Sequence, residues 1–297
     1  MASGNRNMGV VWLDGKITDY ASAQVSLEDR GFLFGDGVYE SIRVYNCCPF
    51  ALPAHLTRLE RSATGIEALL PKPLDELARL VHELVEKAAI PEAEVYIQVT
   101  RGAARRSHLF PVGADPTLVI GVQPARVVPH VLYETGCTAI TLEDERWARC
   151  DLKTVSLLPN VLAKEKAHRA GAFEAILQRN GLLTEGTSSN VFAWRDGRII
   201  TAISDNRILP GVTRAITIKL ARDLGYQVVE CDIRTADLLA SSEIFLTSTS
   251  IELMPVVVID DGRIGEGRPG EVWRDLHGHY RALVAAETGG AEDCNAP

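Results

Sequence analysis

RWARCDLKTVSLLPN, residues 146–160, sets one lysine, Lys153, among Leu152, Val155, Leu157 and Leu158. Burying an ammonium group is costly unless it is paired or gives up its proton. A desolvated lysine of lowered pKa is also the form that joins aldehydes covalently. Taken alone, the stretch reads more readily as a surface lysine whose stem lies along apolar neighbours. The choice depends on what the rest of the chain supplies.

Downstream, LLTEGTSSNVF puts Glu185 beside Gly186 and the run Thr187-Ser188-Ser189-Asn190. An acid can face the ring nitrogen of a pyridine cofactor and keep it protonated; a turn glutamate amid locally bonded hydroxyls is the plainer alternative. Further on, Gly211-Val212-Thr213 opens the helix PGVTRAITIKLARDLG. Unpaired N–H groups and a partial positive charge suit a phosphate there, although Thr213 also suits a simple cap. Thr247-Ser248-Thr249-Ser250 follows a strand and adds hydroxyl and amide donors. Lysine, acid and phosphate cup together point to a pyridoxal-phosphate enzyme.

Upstream, RGFLFGDGVYE (residues 30–40) is glycine-rich but fits neither GxGxxG nor the phosphate loop ending in Gly-Lys-Ser/Thr. Gly35 and Gly37 are read as turning the backbone so that Tyr39 points into a pocket, a core tyrosine being the alternative. TRGAARRSHLF gathers Arg101, Arg105, Arg106 and His108 at a strand-to-loop junction. Bidentate arginines suit capture of a carboxylate, and a solvated basic loop is the other reading.

The pattern around these motifs is mixed α+β. Asp14-Gly15 inside VVWLDGKIT signals a hairpin. LPAHLTRLERSATGIEALL has helical periodicity, with Leu56, Leu59, Ile66 and Leu69 as core candidates, and a second helix spans about Leu74 to Ala88. EVYIQVTRG and PTLVIGVQP are strands, rich in β-branched residues. The expected division is a smaller domain over 1–125, a linker over 126–131 containing Pro129, and a larger domain over 132–297. Strands and helices then mix without regular βα alternation, and the tail ETGGAEDCNAP reads as disordered.

A net charge of −8 argues against nucleic acid. No apolar run approaches the roughly 20 residues of a membrane span, and no signal-peptide pattern opens the chain. Cytoplasm is the expected compartment. None of the six cysteines forms a CxxC pair or a zinc-spaced cluster, so no metal is expected and all six thiols are read as reduced.

DRGFLFGDGVYE, RCDLKTVSLLPNVLAKEKAHRAGAFEAIL, GLLTEGTSSNVF and ILPGVTR, in that order and spacing, closely resemble the class IV (fold-type IV) pyridoxal-phosphate aminotransferases. Within that class the resemblance is to the D-amino acid (D-alanine) aminotransferase family, from about Val11 to about Asp275. It implies a two-domain α+β fold with pyridoxal 5'-phosphate as cofactor. Lys153 matches the lysine that carries the cofactor and shuttles the proton, and Glu185 the partner of the pyridine nitrogen. Arg58 resembles the phosphate-binding arginine, joined by Val212, Thr213 and Thr249. Leu209 matches the residue packed on the ring, and Arg146 sits where some members contact the ring hydroxyl. Tyr39, Arg106 and His108 match the trap for the substrate α-carboxylate, and Ser250 is placed with them.

In that family the Arg106 and His108 equivalents reach across from a neighbouring subunit, which implies a homodimer. The implied reaction moves an amino group from a D-amino acid such as D-alanine to 2-oxoglutarate or pyruvate. A branched-chain L-aminotransferase is the first alternative, then an (R)-amine transaminase or an aminodeoxychorismate lyase. A non-catalytic binder of the phosphate ester is the alternative of another class. Ser41 departs from the aliphatic residue that often follows Tyr-Glu in the D-amino acid enzymes.

Overall fold

A computed structural model describes residues 9–289. It divides into two compact units, and the division is not a single cut. Unit 1 holds the described chain up to Arg126 and takes back Leu152–Ser156 and the chain from Val284; unit 2 holds Val127–Asp151 and Leu157–Leu283.

Unit 1 begins with β1 (Val10–Leu13) and β2 (Lys16–Asp19). Asp14 and Gly15 both have positive φ, as a two-residue hairpin turn requires. Then come α1 (Arg30–Phe34), β3 (Gly37–Tyr45), β4 (Cys48–Pro49), α2 (Leu52–Gly65), α3 (Leu74–Ala88), β5 (Ala93–Thr100) and β6 (Thr117–Pro124). The strands form one antiparallel sheet in the order β2-β1-β6-β5-β3-β4. Period-2 alternation sends Val38, Ile42, Val95, Ile97, Val99, Ile120 and Val122 to one face, where they pack against α2 and α3. In α3 the buried positions Leu77, Val81, Leu84 and Val85 recur at helical spacing. The opposite face carries Tyr39, Ser41 and Arg43 of β3 beside Glu94, Tyr96 and Gln98 of β5.

Unit 2 comprises α4 (Val131–Thr135), β7 (Cys137–Glu143), α5 (Leu158–Arg169), β8 (Glu174–Arg179), β9 (Leu182–Gly186), β10 (Asn190–Arg195) and β11 (Arg198–Thr201). It continues with α6 (Val212–Asp223), β12 (Val228–Glu230), α7 (Thr235–Leu239), β13 (Glu243–Ser248), β14 (Glu252–Ile259) and β15 (Gly262–Arg263). α8 (Glu271–Thr288) then runs on into the returning part of unit 1. Its nine-stranded sheet is mixed, with β7/β8, β7/β14 and β11/β12 parallel. Phe192 and Phe245, opposite each other on β10 and β13, stack at 5.2 Å. The class is α+β, as the sequence pattern implies.

Several local expectations change. Leu69 is 77% exposed, because α2 stops at Gly65 and the helical phase is lost; Ile66 still packs on the core. The glycine-rich stretch contains a short helix, α1, capped by the Asp29 carboxylate on Gly31 N at 2.8 Å. The last residue of the expected linker, Val131, already begins α4. Cys47, Cys137, Cys150 and Cys231 are free, but Cys48 is disulfide-bonded, which corrects the reading of six reduced thiols. Cys48 opens β4 beside a turn whose Asn46 amide donates to Thr288 O at 3.2 Å, so the hairpin meets the end of α8. The tail read as disordered lies, from residue 290, outside the described residues, while Glu287 and Thr288 complete α8. Among the described residues, no helix is long and apolar enough to cross a membrane, and no His/Cys/Asp/Glu group suits a metal.

Candidate active site

The residues singled out in the sequence fall into two groups, one on each unit. On unit 1 the Lys153 backbone is fixed from several directions. Tyr39 N donates to Lys153 O at 3.0 Å, Val155 N donates to Gly37 O at 3.0 Å, and Lys153 N donates to Ser62 Oγ at 3.1 Å. Leu152 is buried against α2, where a Cβ at Gly65 would lie 2.4 Å from its Cδ2. The Lys153 ammonium then sits 4.1 Å from the centre of the Tyr39 ring, within cation–π range. Lys153 is therefore held in place rather than trailing in solvent, and Tyr39 is a half-buried wall beside it rather than a core residue.

Behind this face, Arg58 lies 8% exposed and grips Glu40 through Nε and Nη2, at 2.7 and 2.8 Å. His55 Nδ1 approaches the same carboxylate at 2.7 Å. Burial pushes the Glu40 carboxyl up, but the bonds and charge of Arg58, with His55, more than offset this and hold it at about 2. Burial pushes the His55 imidazole below its ordinary value.

Arg106 and His108 share an exposed loop and one aromatic platform. The Phe34 ring lies 5.1 Å from the Arg106 guanidinium carbon and 5.7 Å from the His108 ring. Arg30 anchors this loop, donating to Ser107 O at 2.6 Å and to Asp36 at 2.8 Å. Arg101 serves the scaffold, donating to Asp36, Ile66 O and Glu67 O.

On unit 2, Glu185 is 4% exposed and heavily bonded. It accepts from Arg146 Nη1, from Asn190 Nδ2 at 2.9 Å, and from Leu209 N at 3.1 Å through both oxygens. Arg146 is itself oriented by Asp144. Burial pushes the Glu185 carboxyl above its usual range, and Arg146 pulls it back only in part. The Thr187 and Ser189 hydroxyls bond Glu174, a carboxylate 1% exposed, which shapes the turn behind Glu185. Asn190, Asp144 and Glu174 are positioning residues that the sequence reading did not assign. A lone acid inside the apolar strand FEAIL was the available signal for Glu174, since a buried carboxylate demands partners.

Val212 and Thr213 start α6, whose N-cap is Gly211, so no side chain caps it and Thr213 is not the cap. Gly211 is required by close approach, because a Cβ there would lie 2.1 Å from Asn190 Oδ1. Thr249 and Ser250 lie half-buried in the turn after β13, with Ser248 and Ser250 hydroxyls 3.5 Å apart. The neighbouring Thr247 hydroxyl is buried without a hydrogen-bond partner among the described residues. A buried carboxylate whose desolvation Arg146 offsets only in part, an uncapped helix N-terminus and an orphaned buried hydroxyl are the features that a phosphorylated pyridinium would satisfy.

Comparison with known proteins agrees with this chemistry. Residues 37–259 match the family model of class IV amino-transferases, and the chain belongs to that family. It is 40% identical over 278 residues to a D-alanine aminotransferase of Bacillus licheniformis, covering 94% of this chain and 98% of that protein. A D-alanine aminotransferase of Staphylococcus haemolyticus is 39% identical over 281 residues, covering 95% of this chain and 100% of that protein. Among solved structures, a branched-chain amino acid aminotransferase of Escherichia coli superposes with a TM-score of 0.88 at 26% identity, over 94% of this chain and 95% of that one. A T.th. branched-chain amino acid aminotransferase, solved with pyridoxamine 5'-phosphate, gives a TM-score of 0.86 at 28% identity, over 96% of each chain.

Proposed function

We propose that this chain moves the amino group of a D-amino acid, such as D-alanine, to a 2-oxo acid such as 2-oxoglutarate or pyruvate. The observation that carries this is the near-full-length identity of about 40% to D-alanine aminotransferases. The branched-chain neighbours share the fold at lower identity.

Pyridoxal 5'-phosphate is the cofactor, and when bound it supplies an aldehyde and an electron-accepting ring. Lys153 holds it and, through Nζ, takes the proton from the donor α-carbon. Glu185, kept in line by Arg146, Asn190 and Leu209 N, faces the ring nitrogen and keeps a proton there. Val212, Thr213 and Thr249 offer the phosphate amides and hydroxyls, and Arg58 adds a guanidinium already oriented by Glu40. Leu209 would pack on the ring, and Arg146 would contact its hydroxyl. Tyr39, Arg106, His108 and Ser250 bind the donor, the two basic groups holding its α-carboxylate.

The reading includes a homodimer in which Arg106 and His108 serve the neighbouring subunit. It also includes a cytoplasmic location, which the free thiols favour and the Cys48 disulfide opposes. Donor assays with D-alanine, L-leucine and (R)-1-phenylethylamine test the function. D-Alanine is expected to react fastest. Faster turnover of L-leucine or of the amine, or pyruvate release from aminodeoxychorismate without any acceptor, overturns the assignment.

A further inference from the structure

The sheet face that carries Tyr39 beneath the Lys153 ammonium also carries a carboxylate with no ion-pair partner among the described residues. Glu94 of β5 accepts from the Ser41 hydroxyl. Arg43 stands directly across the sheet from Glu94 but turns to Glu92, with Nη2 at 2.6 Å from its carboxylate. Its guanidinium carbon lies 5.1 Å from the Tyr45 ring centre. The charge of Arg43 is thus taken up by Glu92, and among the described residues Glu94 has the Ser41 hydroxyl as its side-chain hydrogen-bond donor, with Tyr20 near enough to feel its charge.

The position of this carboxylate gives it a use. Tyr39 and Tyr96 form a wall, with ring centres 5.6 Å apart, and the Tyr96 hydroxyl donates to Gln98 Oε1 at 2.7 Å. Ser41 follows Tyr39 on the same face, one pleat repeat or about 7 Å along the strand. Side chains at i and i+2 share a face, so Ser41 brings Glu94 to the stretch of wall just beyond Tyr39. A donor whose α-carbon met Lys153 Nζ and whose side chain followed the wall would extend towards that carboxylate over four or five bonds.

We propose that Glu94, presented by Ser41, sets the charge preference of the donor side-chain site. It favours side chains ending in an ammonium group, such as D-ornithine, and disfavours D-glutamate and its 2-oxo acid. On the acceptor side it therefore selects pyruvate over 2-oxoglutarate. Like charges at such range in a partly buried site repel, and opposite charges attract, with little screening by salt. This inference rests on the D-amino acid transaminase reading.

The test compares D-ornithine with D-glutamate in the holoenzyme and in Glu94→Gln and Ser41→Ala. The ratio of their kcat/KM values cancels any general loss of folded protein. Wild type is expected to favour D-ornithine, and Glu94→Gln to lower the ratio at least about tenfold, or about 1.4 kcal/mol. Ser41→Ala, which frees the carboxylate to swing away, is expected to shift it the same way by less. Calorimetry with the unreactive glutarate and 5-aminopentanoate reads the same preference without turnover, and Glu94→Gln should tighten the first and weaken the second. A wild-type preference for D-glutamate, or a ratio and binding order unchanged in Glu94→Gln, overturns the inference. Failure of wild type to use D-alanine would instead remove the transaminase reading beneath it, so the two failures are told apart.

Discussion

At the scale of single residues the proposed chemistry rests on Lys153 and Glu185, yet neither could be chosen by sequence context alone. In the structure the Lys153 backbone is bonded to β3 and α2, and its ammonium is laid on Tyr39. Removing that amine by Lys153→Ala is expected to lower kcat by at least about 10²–10⁴-fold, with partial recovery on adding small amines. Wild-type turnover in the variant would show that another group moves the proton. Glu40 makes a different prediction, about stability. Its folded pKa of about 2 lies below the ordinary 4.5, so its contribution is fully present above pH 4.5 and is lost as pH falls towards 2. The loss amounts to about 3 kcal/mol over that window. Urea midpoints measured from pH 6 to pH 3 should fall steeply in wild type and less steeply in Glu40→Gln. At pH 6 that variant should already be about 3–5 kcal/mol less stable, because the buried Arg58 guanidinium loses the carboxylate that balances its charge.

At the scale of elements, α6 shows how tightly the candidate cofactor cup is drawn. A methyl at Gly211 would displace Asn190, whose amide holds both Glu185 and Leu209 O. Gly211→Ala is therefore expected to cost about 1–3 kcal/mol and to weaken pyridoxal-phosphate binding as Glu185 loses a partner, read by thermal melting and fluorescence titration. Gly278→Ala is the counter-case. That glycine sits within α8 with nothing within 4 Å of an added methyl, so stability should rise by about 0.5–1 kcal/mol. The same contrast explains which elements were legible beforehand. The Asp14-Gly15 hairpin and the periodicity of α3 are local properties of short stretches, and both are found. Leu69 misled because the pattern gives no stop at Gly65. α1 was hidden because Asp29, which caps it, is itself fixed by Thr100 and Thr117 from distant strands. The return of Leu152–Ser156 to unit 1 was equally hidden, since it depends on pairing with β3.

At the scale of the whole molecule, the proposed homodimer makes a prediction of its own. Leu158, Val161 and Leu162 of α5 are 67%, 58% and 49% exposed, an apolar patch on a helix that buries only Ala163 and Ala167. The loop after His108 exposes Leu109, Phe110 and Val112 as well. A two-fold homodimer would offer such a patch a surface to bury against, and the proposal has the Arg106–His108 loop serve the other subunit. Two inactive variants decide whether that reach is used. Arg106→Ala should lose affinity for the donor carboxylate, and Lys153→Ala should lose proton transfer. When equal amounts are unfolded and refolded together, half of the dimers pair one variant with the other. If Arg106 serves the neighbouring subunit, such a dimer keeps one intact site, combining Lys153 from one chain with Arg106 from the other. The mixture then recovers about a quarter of wild-type activity. If Arg106 serves its own chain, both sites in the mixed dimer are broken and refolding recovers nothing, while sedimentation still reports dimers. A mixture that sediments as monomers would remove the shared site and the dimer together.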